Sequence, residues 1–461
     1  MTSRRELLQW MGAAGSASLL ASTVRPATAQ VQPATAPARP HPPGAYRPVR
    51  TLNGWTLPYH LNEGVKEFHL VAEEIVHEFA PGSRAVCWGY NGTTPGPTIE
   101  AVEGDRVRLF VTNRLKEPTS VHWHGIDLPN GFDGVSGLNQ PMIQPGETFV
   151  YEFTLRQNGT HMYHPHADET TQLAFGMMGL FIIHPRDGEA VPVDRDYAFL
   201  LHNWALHPGT YRPDPNVMLD FDLWTFNSKV FPAIEHLVMR TGERMRIRIG
   251  NLSMWNHPIH LHSNPFWVTG SDGGRWPQSQ WRREVTELVG VGQMRDLEFV
   301  ATEPGDWALH CHMAHHTMGP MAHDIPNVVG VDQSGVEAEI RRMLPGFAAM
   351  GEHGMAEHSE HVAMGLPGPE NTLPMMGGRG QFGPIDMGGM FTVVKVRDDQ
   401  APGDYSDPGW YRYPKNAIAR RVSADPDFGR PHRRHPYGTE KPTDALKPSM
   451  PAKQDHSHHG S

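Results

Sequence analysis

The chain has 461 residues, of which 38% are hydrophobic and 20% charged, and its formal net charge is −10. This composition is typical of a globular protein with room for two or three domains. The acidic balance argues against nucleic acid and anionic membranes as partners. With 47 glycines and 42 prolines but little helical periodicity, the sequence favours short strands joined by turns, and so an all-β fold.

The first 29 residues are typical of an export signal. Paired arginines precede an apolar run over 11–20, and a small-residue cleavage site ends at Ala29. The pattern predicts a twin-arginine signal and a periplasmic or secreted protein. The Pro/Ala-rich leader at 30–50 is not expected to pack by itself. The rest of the sequence contains no stretch apolar enough to span a bilayer.

Strand and turn signals then alternate in two successive runs that resemble each other. Residues 103–109 in the first run and 241–247 in the second each precede an asparagine and then a histidine-rich segment. The repeat predicts two copies of one β-sandwich, which we place at 51–190 and 191–400. The interval from His166 to His257 is too short for a third sandwich of about 100 residues.

Three features lie near the end of the chain. A short helix is predicted at 336–343, and an insert rich in Met, Gly and His follows at about 343–388, before a last strand at 388–397. Thioethers favour copper(I), so the insert is either a cuprous site or a flexible lid. Residues 401–461 are rich in proline and charge, and we expect a mostly extended, disordered tail.

The chain has two cysteines, Cys87 and Cys311. A disulfide between them is conceivable in an oxidising compartment, but it would consume the cysteine of a histidine-rich motif. We therefore expect both to be free. Cys87, in a strand-like segment, is expected to be a small buried hydrophobic side chain.

Four histidine clusters carry the chemistry. They read "HWH" at 122–124, "HPH" at 164–166, "HPIHLH" at 257–262 and "HCHMAHHTMGPM" at 310–321. Histidines two residues apart on a strand face the same side of the sheet. Pairs with this spacing, repeated four times, favour a converging set of metal ligands over scattered surface histidines.

The last cluster contains most of the ligands of a blue-copper site. Cys311, His316 and Met321 offer a thiolate, an imidazole and an axial thioether, and His257 offers the second imidazole. Met318 is an alternative axial ligand. This ligand set is used for one-electron transfer.

Strand alternation separates the neighbours of the cysteine from the cysteine itself. His310 and His312 point to the side opposite Cys311 and can therefore bind other metal ions. The backbone of Cys311 then connects the blue site with a second, multinuclear site.

With these motifs in this order, residues 54–330 resemble the multicopper oxidases, a laccase-like family of cupredoxin repeats. The resemblance is to the two-domain type with the blue, or type 1, copper in the second domain. It implies two cupredoxin-like Greek-key β-sandwiches. Copper nitrite reductases lack the H-C-H triplet and the full set of further histidines, so the chain is unlike them.

The resemblance also implies the cofactor, four coppers per subunit, and its ligands. Type 1 copper falls to His257, Cys311, His316 and Met321, and type 2 copper falls to His122 and His260. The type 3 pair falls to His124, His164, His166, His262, His310 and His312. In that family a homotrimer places each trinuclear centre between the first domain of one subunit and the second domain of the next, so we expect a homotrimer.

The activity implied is oxidation of a reductant in four one-electron steps, with dioxygen reduced to two waters. Electrons would pass through Cys311 to His310 and His312. Asp133 matches the family's acid near type 2 copper and is assigned proton delivery, although a simple turn aspartate fits the sequence as well. The loop after the H-C-H triplet lacks the acid that many relatives carry, and His315 is a candidate substitute.

Two functions of other classes stay open. A copper-sequestering protein would need only the Met/His insert and the tail, whereas a simple electron carrier would have no use for eight further histidines. The sequence does not distinguish phenols, copper(I), iron(II) and manganese(II) as the reductant.

Overall fold

The computed structural model describes residues 46–207, 209–318, 334–343, 370–371, 373 and 377–421. The predicted export signal, most of the leader, Met321, most of the Met-rich insert and the tail beyond 421 lie outside these residues.

The described chain consists mainly of β-strands joined by turns. The first ten strands are β1 (Arg50–Thr51), β2 (His60–Asn62), β3 (Val65–Ala80), β4 (Ser83–Tyr90), β5 (Ile99–Val102), β6 (Arg106–Asn113), β7 (His122–His124), β8 (Thr148–Thr154), β9 (Gly159–His164) and β10 (Gly179–His184). The next seven are β11 (Arg195–Trp204), β12 (Leu223–Phe226), β13 (Leu237–Arg240), β14 (Arg244–Asn251), β15 (His257–Leu261), β16 (Phe266–Ser271) and β17 (Gly274–Arg275). The last seven are β18 (Arg282–Glu284), β19 (Thr286–Val289), β20 (Met294–Val300), β21 (Gly305–Cys311), β22 (Arg379–Gly380), β23 (Gly383–Pro384) and β24 (Phe391–Arg397).

Helices are a minority of the described secondary structure. They are α1 (Glu169–Ala174), α2 (Ser334–Met343) and the 3₁₀ turns Asn130–Phe132, Gln278–Gln280 and Ala314–Thr317. The helix predicted at 336–343 is therefore present. None of the helices in the described residues is long and apolar enough to cross a membrane.

Two sheets form the first sandwich. One has the order β2-β3-β6-β8, with β4 paired to β3, and the other has the order β5-β10-β9-β7. The chain crosses between the sheets several times, since β5 lies in one, β6 in the other and β7 in the first again. Burial alternates along β6, as expected for a strand with one face in a core. The side chains between the sheets include Phe68, Leu109, Trp123 and Phe181.

The second sandwich repeats this plan. Its sheets have the orders β1-β11-β14-β20-β16-β17 and β13-β24-β21-β15-β19. Its core includes Phe199, Ile249, Leu309 and Val394. The last strand predicted at 388–397 is confirmed as β24, which lies between β13 and β21. Met390 is fully buried in the core and Met387 packs against it, so these two methionines of the predicted Met-rich segment are structural.

The internal repeat corresponds to equivalent strands. Asn113 ends β6 and Asn251 ends β14, and the two side chains make matching hydrogen bonds. The Nδ2 group of Asn113 donates to the carbonyl oxygens of Glu117 and Ile143 at 2.8 and 2.9 Å. That of Asn251 donates to those of Trp255 and Val289 at 2.8 and 3.0 Å. Each asparagine thus fixes the loop that leads into a histidine pair.

A third core joins the sandwiches, because it draws side chains from both. It includes Phe79, Cys87 and Met162 from the first sandwich and Leu200 and Met294 from the second. Both cysteines of the chain are free, and the buried hydrophobic environment expected for Cys87 is confirmed.

Buried charges reinforce this junction. Asp196 accepts hydrogen bonds from Arg246 and Arg248, and Nη1 of Arg248 donates to Oγ1 of Thr160 on β9 at 2.9 Å. Thr160 in turn donates to Asp296 at 2.7 Å. Burial alone would raise the pKa of Asp196, but the two guanidinium charges hold it well below its usual range.

The predictions of an all-β fold and of two β-sandwiches are confirmed. The division of the chain at residue 190 stays a prediction, since the described residues up to Tyr411 form one compact unit. Residues 412–421 belong to a second unit, are exposed and have no regular secondary structure.

Candidate metal centres

Three buried side chains converge inside the second sandwich, and we refer to them as the Cys311 group. His257 begins β15, Cys311 ends β21, and His316 lies in the turn Ala314–Thr317. The Sγ atom of Cys311 is 3.6 Å from Nδ1 of His257 and 3.2 Å from Nδ1 of His316. The two Nδ1 atoms are 3.1 Å apart. One thiol and two imidazoles therefore face a common point.

Strand pairing explains this convergence. β15 and β21 are antiparallel neighbours, with Ile259 opposite Cys311 and His260 opposite His310. Burial alternates along β15, so His257 faces the core together with Ile259 while His260 faces outward. The same alternation separates Cys311 from His310, as the sequence predicted.

Burial keeps the side chains of the Cys311 group uncharged when no metal ion is bound. Burial raises the pKa of the Cys311 thiol to about 12 and lowers the pKa of His257 to about 3. Burial and the neighbouring His257 lower the pKa of His316 to about 2. Neutral imidazoles are free to act as ligands, and a metal ion would compensate the charge of a buried thiolate. A thiolate with two imidazoles is a donor set that suits copper.

Two neighbours hold the imidazoles of this group. Oγ of Ser253 lies 2.7 Å from Nε2 of His257, and it also bonds the side chain of Asn251 and the backbone of Trp255. The indole of Trp224 stacks on His316. Both imidazoles are thus fixed with Nδ1 towards Cys311.

Four histidines of the first sandwich form a second cluster, the first histidine set. Its members are His122, His124, His164 and His166. Nδ1 of His124 lies 3.2 Å from Nε2 of His164, while Nδ1 of His164 is 3.0 Å from the carbonyl oxygen of Pro165 and donates to it. Burial lowers the pKa of His164 to about 3, so this ring is neutral and its Nε2 can bind a metal ion.

Four histidines of the second sandwich form the second histidine set. Its members are His260, His262, His310 and His312. The Nε2 atoms of His262 and His310 are 3.2 Å apart, and Nδ1 of His310 donates to the carbonyl oxygen of Cys311 at 2.8 Å. Nδ1 of His260 donates to the carbonyl oxygen of Val285 at 2.7 Å, which leaves its Nε2 for a metal ion.

The two sets are separate within one chain. In the part of the chain that the structure describes, the ring contacts among these eight histidines all lie within one set or the other. His262 and His312 are exposed, and His122, His124, His166 and His260 are partly exposed. Each set is therefore partly accessible at the surface of the chain.

Asp133 lies beside the first histidine set. Nδ1 of His122 donates to the backbone carbonyl of Asp133 at 2.8 Å, and the Asp133 carboxylate is 3.4 Å from the same nitrogen. Gly134 follows at φ 88°, and a Cβ there would come within 1.8 Å of the carbonyl oxygen of Val121. Only glycine lets the turn approach β7 this closely.

Models of one family match both halves of the chain. Each is described as "Multicopper oxidase", and they cover residues 72–188 and 208–330. The chain belongs to the multicopper oxidase family.

Individual relatives of this multicopper oxidase agree with the family match. Copper resistance protein A of Escherichia coli is 44% identical over 232 residues, which cover 48% of this chain and 36% of that protein. L-ascorbate oxidase of Nicotiana tabacum is 37% identical over 146 residues, or 31% of this chain and 25% of that protein. In these matches the chain spans about a third or less of the relatives' own length.

A solved structure supports the fold. The blue copper oxidase from Nitrosomonas europaea aligns with a TM-score of 0.53 and 24% identity over 72% of this chain and 85% of its own. This similarity concerns the cupredoxin fold alone.

The structure brings together most of the residues that the sequence proposed as ligands. Met321 lies outside the described residues, and Met318 is the last residue described before it, so the choice of axial ligand stays a prediction. His315 contacts Trp224, Trp255 and His316, and so lies beside the Cys311 group.

Sequence reasoning missed Ser253, Trp224 and Glu169. Ser253 follows Asn251 by two residues, but the equivalent residue of the first repeat is Leu115, so the repeat gave no signal for the hydroxyl. Trp224 had no local signal, because it comes from β12. Glu169 lies three residues after His166 and lines the same cavity of about 380 Å³ as the first histidine set.

Proposed function

We propose that this multicopper oxidase couples one-electron oxidation of a reductant at the Cys311 group to reduction of dioxygen to two waters at a centre built from both histidine sets. The observation that carries the proposal is the alternation along 310–312. Cys311 lies in the core with His257 and His316, while His310 and His312 join the second histidine set. The end of β21 thus contributes ligands to two sites.

The proposed ligands combine the geometry of the described residues with the resemblance to the family. The Cys311 group, completed by Met321, would hold type 1 copper, and the two histidine sets would hold one type 2 and two type 3 coppers. These coppers would supply one-electron steps and the binding and reduction of dioxygen. Because Cys311 is bonded through its backbone to His310 and His312, the chain offers a short covalent path between the sites.

The chain's own residues hold the ligands in place. Ser253 and Trp224 orient His257 and His316, and the backbone carbonyl of Asp133 orients His122. We assign the Asp133 carboxylate, 3.4 Å from His122, to proton delivery.

We propose a homotrimer in which the first histidine set of one subunit faces the second set of the next. Each set is incomplete and partly exposed, and the exposed apolar side chains of Val285, Leu288 and Val291 lie on or next to β19, which pairs with the strand of His260. Exposed apolar residues around a polar site are typical of an interface.

Complementation tests the shared centre. His164→Ala disables the first set and His312→Ala disables the second, so each variant alone should lack a complete centre. When equal amounts of the two variants assemble together, about a quarter of the interfaces would join two intact sets. Dioxygen uptake should then return to about a quarter of the wild-type rate. No recovery on mixing would mean that each centre is built within one chain.

The reductant and location are also proposed. The Met-rich insert supports copper(I) as reductant, and the name of the relative copper resistance protein A agrees with this. The twin-arginine pattern supports a periplasmic location. Deleting 345–368 keeps Met387 and Met390 in the core and should slow oxidation of copper(I) but not of a phenol. Equal rates for both substrates would make the insert a lid or spacer.

Oxygen-electrode measurements on the copper-loaded protein test the activity. We expect one dioxygen consumed per four electrons, and no turnover in Cys311→Ser, which keeps both histidine sets. If copper binds but no reductant among phenols, copper(I), iron(II) and manganese(II) drives oxygen uptake, the protein sequesters copper instead.

A further inference from the structure

Glu169 places one carboxylate between two histidines of the first set. Its Oε1 atom is 3.7 Å from Nδ1 of His164, and its Oε2 atom is 3.7 Å from Nε2 of His166. These distances are within the range of an ion pair and longer than a direct hydrogen bond. The carboxylate therefore acts on both rings at once, mainly through its charge.

The backbone directs Glu169 to this place. Asp168 adopts the left-handed conformation, with φ 44° and ψ 52°, so the chain turns sharply after His166 and α1 begins at Glu169. Such a conformation is unfavourable for a residue with a Cβ and persists where the surrounding structure imposes it.

The surrounding structure that holds this turn is a set of hydrogen bonds that anchors α1. Gln172 is 1% exposed; its Oε1 accepts from Oγ1 of Thr119 at 2.7 Å, and its Nε2 donates to the carbonyl of Pro118 at 2.9 Å. This segment leads directly into β7, which carries His122 and His124. The backbone that carries Glu169 is thus held beside both strands of the first histidine set.

We infer that Glu169 is a positioning residue that acts on His164 and His166 through its charge and so strengthens the binding of cations by the first histidine set. The inference rests on the proposed function only in taking this set to bind copper. Nδ1 of His164 is already held by the carbonyl oxygen of Pro165, so the carboxylate contributes its charge, and a negative charge beside a ligand imidazole makes the ring a better electron donor.

Copper titration tests the role. The copper-free full-length protein is titrated with copper(II) against a chromophoric chelator, and the blue absorption of the Cys311 group is followed in the same sample. Glu169→Gln, which loses the charge at constant size, should weaken copper binding outside the blue site by about 10- to 100-fold. Glu169→Asp should recover part of the loss, and the blue absorption should stay unchanged in both.

Asp168→Asn is the matched control, since it removes one carboxylate charge at the neighbouring exposed position and asparagine tolerates the left-handed conformation. It should bind copper as the wild type does. The inference is overturned if Glu169→Gln binds within about twofold of the wild type, if Asp168→Asn reproduces the loss, or if Glu169→Asp gives no recovery.

The titration uses neither dioxygen nor reductant, so the two proposals can fail separately. Weakened binding in Glu169→Gln together with an inactive wild type would overturn the oxidase function and keep the inference. Unchanged copper binding in Glu169→Gln together with an active wild type would overturn the inference and keep the oxidase function.

Discussion

The indole ring of Trp224 lies parallel to the imidazole of His316, with 3.7 Å between the ring centroids and 20° between the planes. Trp224 is itself held edge to face by Phe221 and Trp255. Nε2 of His316 has no hydrogen-bond partner among the described residues, whereas Nε2 of His257 is bonded to Ser253. Stacking on Trp224 therefore orients the ring of His316, as the hydrogen bond to Ser253 orients the ring of His257.

Trp224→Ala should lower the free energy of unfolding of the copper-free protein by about 3–5 kcal/mol, because it leaves a cavity in the core. The freed His316 ring should also broaden and weaken the blue absorption after copper loading. Urea titration and visible spectroscopy measure the two effects. Trp123→Ala, at an equally buried tryptophan of the first sandwich, should lose similar stability but keep the shape of the blue band. An unchanged band in Trp224→Ala would contradict this role.

Ser253→Ala should change the reduction potential of the blue site. With Nδ1 of His257 used as ligand, its Nε2–H donates to Oγ of Ser253, which makes the imidazole a better electron donor and favours copper(II). Loss of the hydroxyl should therefore raise the potential in a redox titration, and leave a buried N–H without a partner at a cost of about 1–3 kcal/mol. Ser83→Ala is the matched control, since Ser83 is equally buried and its hydroxyl has no partner among the described residues. A potential equal to that of the wild type would refute the prediction.

Asp133→Asn separates the two contacts of this residue with His122. The backbone carbonyl that orients the ring is retained, so copper content should stay at the wild-type level. Oxygen reduction should fall by about 100-fold, because the carboxylate that delivers protons is lost. Metal analysis and oxygen uptake across pH check this, with anaerobic bleaching of the blue band as the control for electron entry. Full activity with a normal pH profile would assign Asp133 to the turn alone.

His202 should make the copper-free protein sensitive to mild acid. Its Nδ1 donates to the carbonyl of Leu252 at 2.8 Å, and burial lowers its pKa to about 4. The unfolded chain takes up this proton near pH 6.5, so stability is complete above that pH and is lost as pH falls towards 4. His202 alone should contribute a slope that approaches about 1.4 kcal/mol per pH unit, in addition to the contributions of other buried histidines such as His164, His257 and His316. In urea titrations between pH 7 and 4.5, His202→Gln should show a shallower slope, and an identical slope would exclude His202 as the cause.

Local patterns were enough to predict the strands and most candidate ligands. The separation of Cys311 from His310 depends only on the two-residue period of a strand, and the equivalence of Asn113 and Asn251 was visible as a repeat. These features are readable because they involve neighbours along the chain.

Features that depend on tertiary packing were not predictable. Met387 belonged to the predicted metal-binding insert, and only its packing against the core shows that it is structural. Glu169 reaches the histidines because Asp168 adopts an uncommon backbone conformation. Trp224 meets His316 through β12, far away in the sequence.

The junction between the sandwiches has a consequence for assembly. In the proposed homotrimer, the first histidine set of one subunit would meet the second set of the next, which is a head-to-tail contact. Such contacts close into a ring only when the rotation from one copy to the next divides a full turn, and otherwise they continue as a filament. That rotation depends on the angle between the two surfaces within one chain, which the third core and the bonds from Asp196 through Arg248 to Thr160 hold fixed. In the proposed assembly, the number of subunits would therefore depend on packing and charges buried inside each subunit, away from any surface that the copies share.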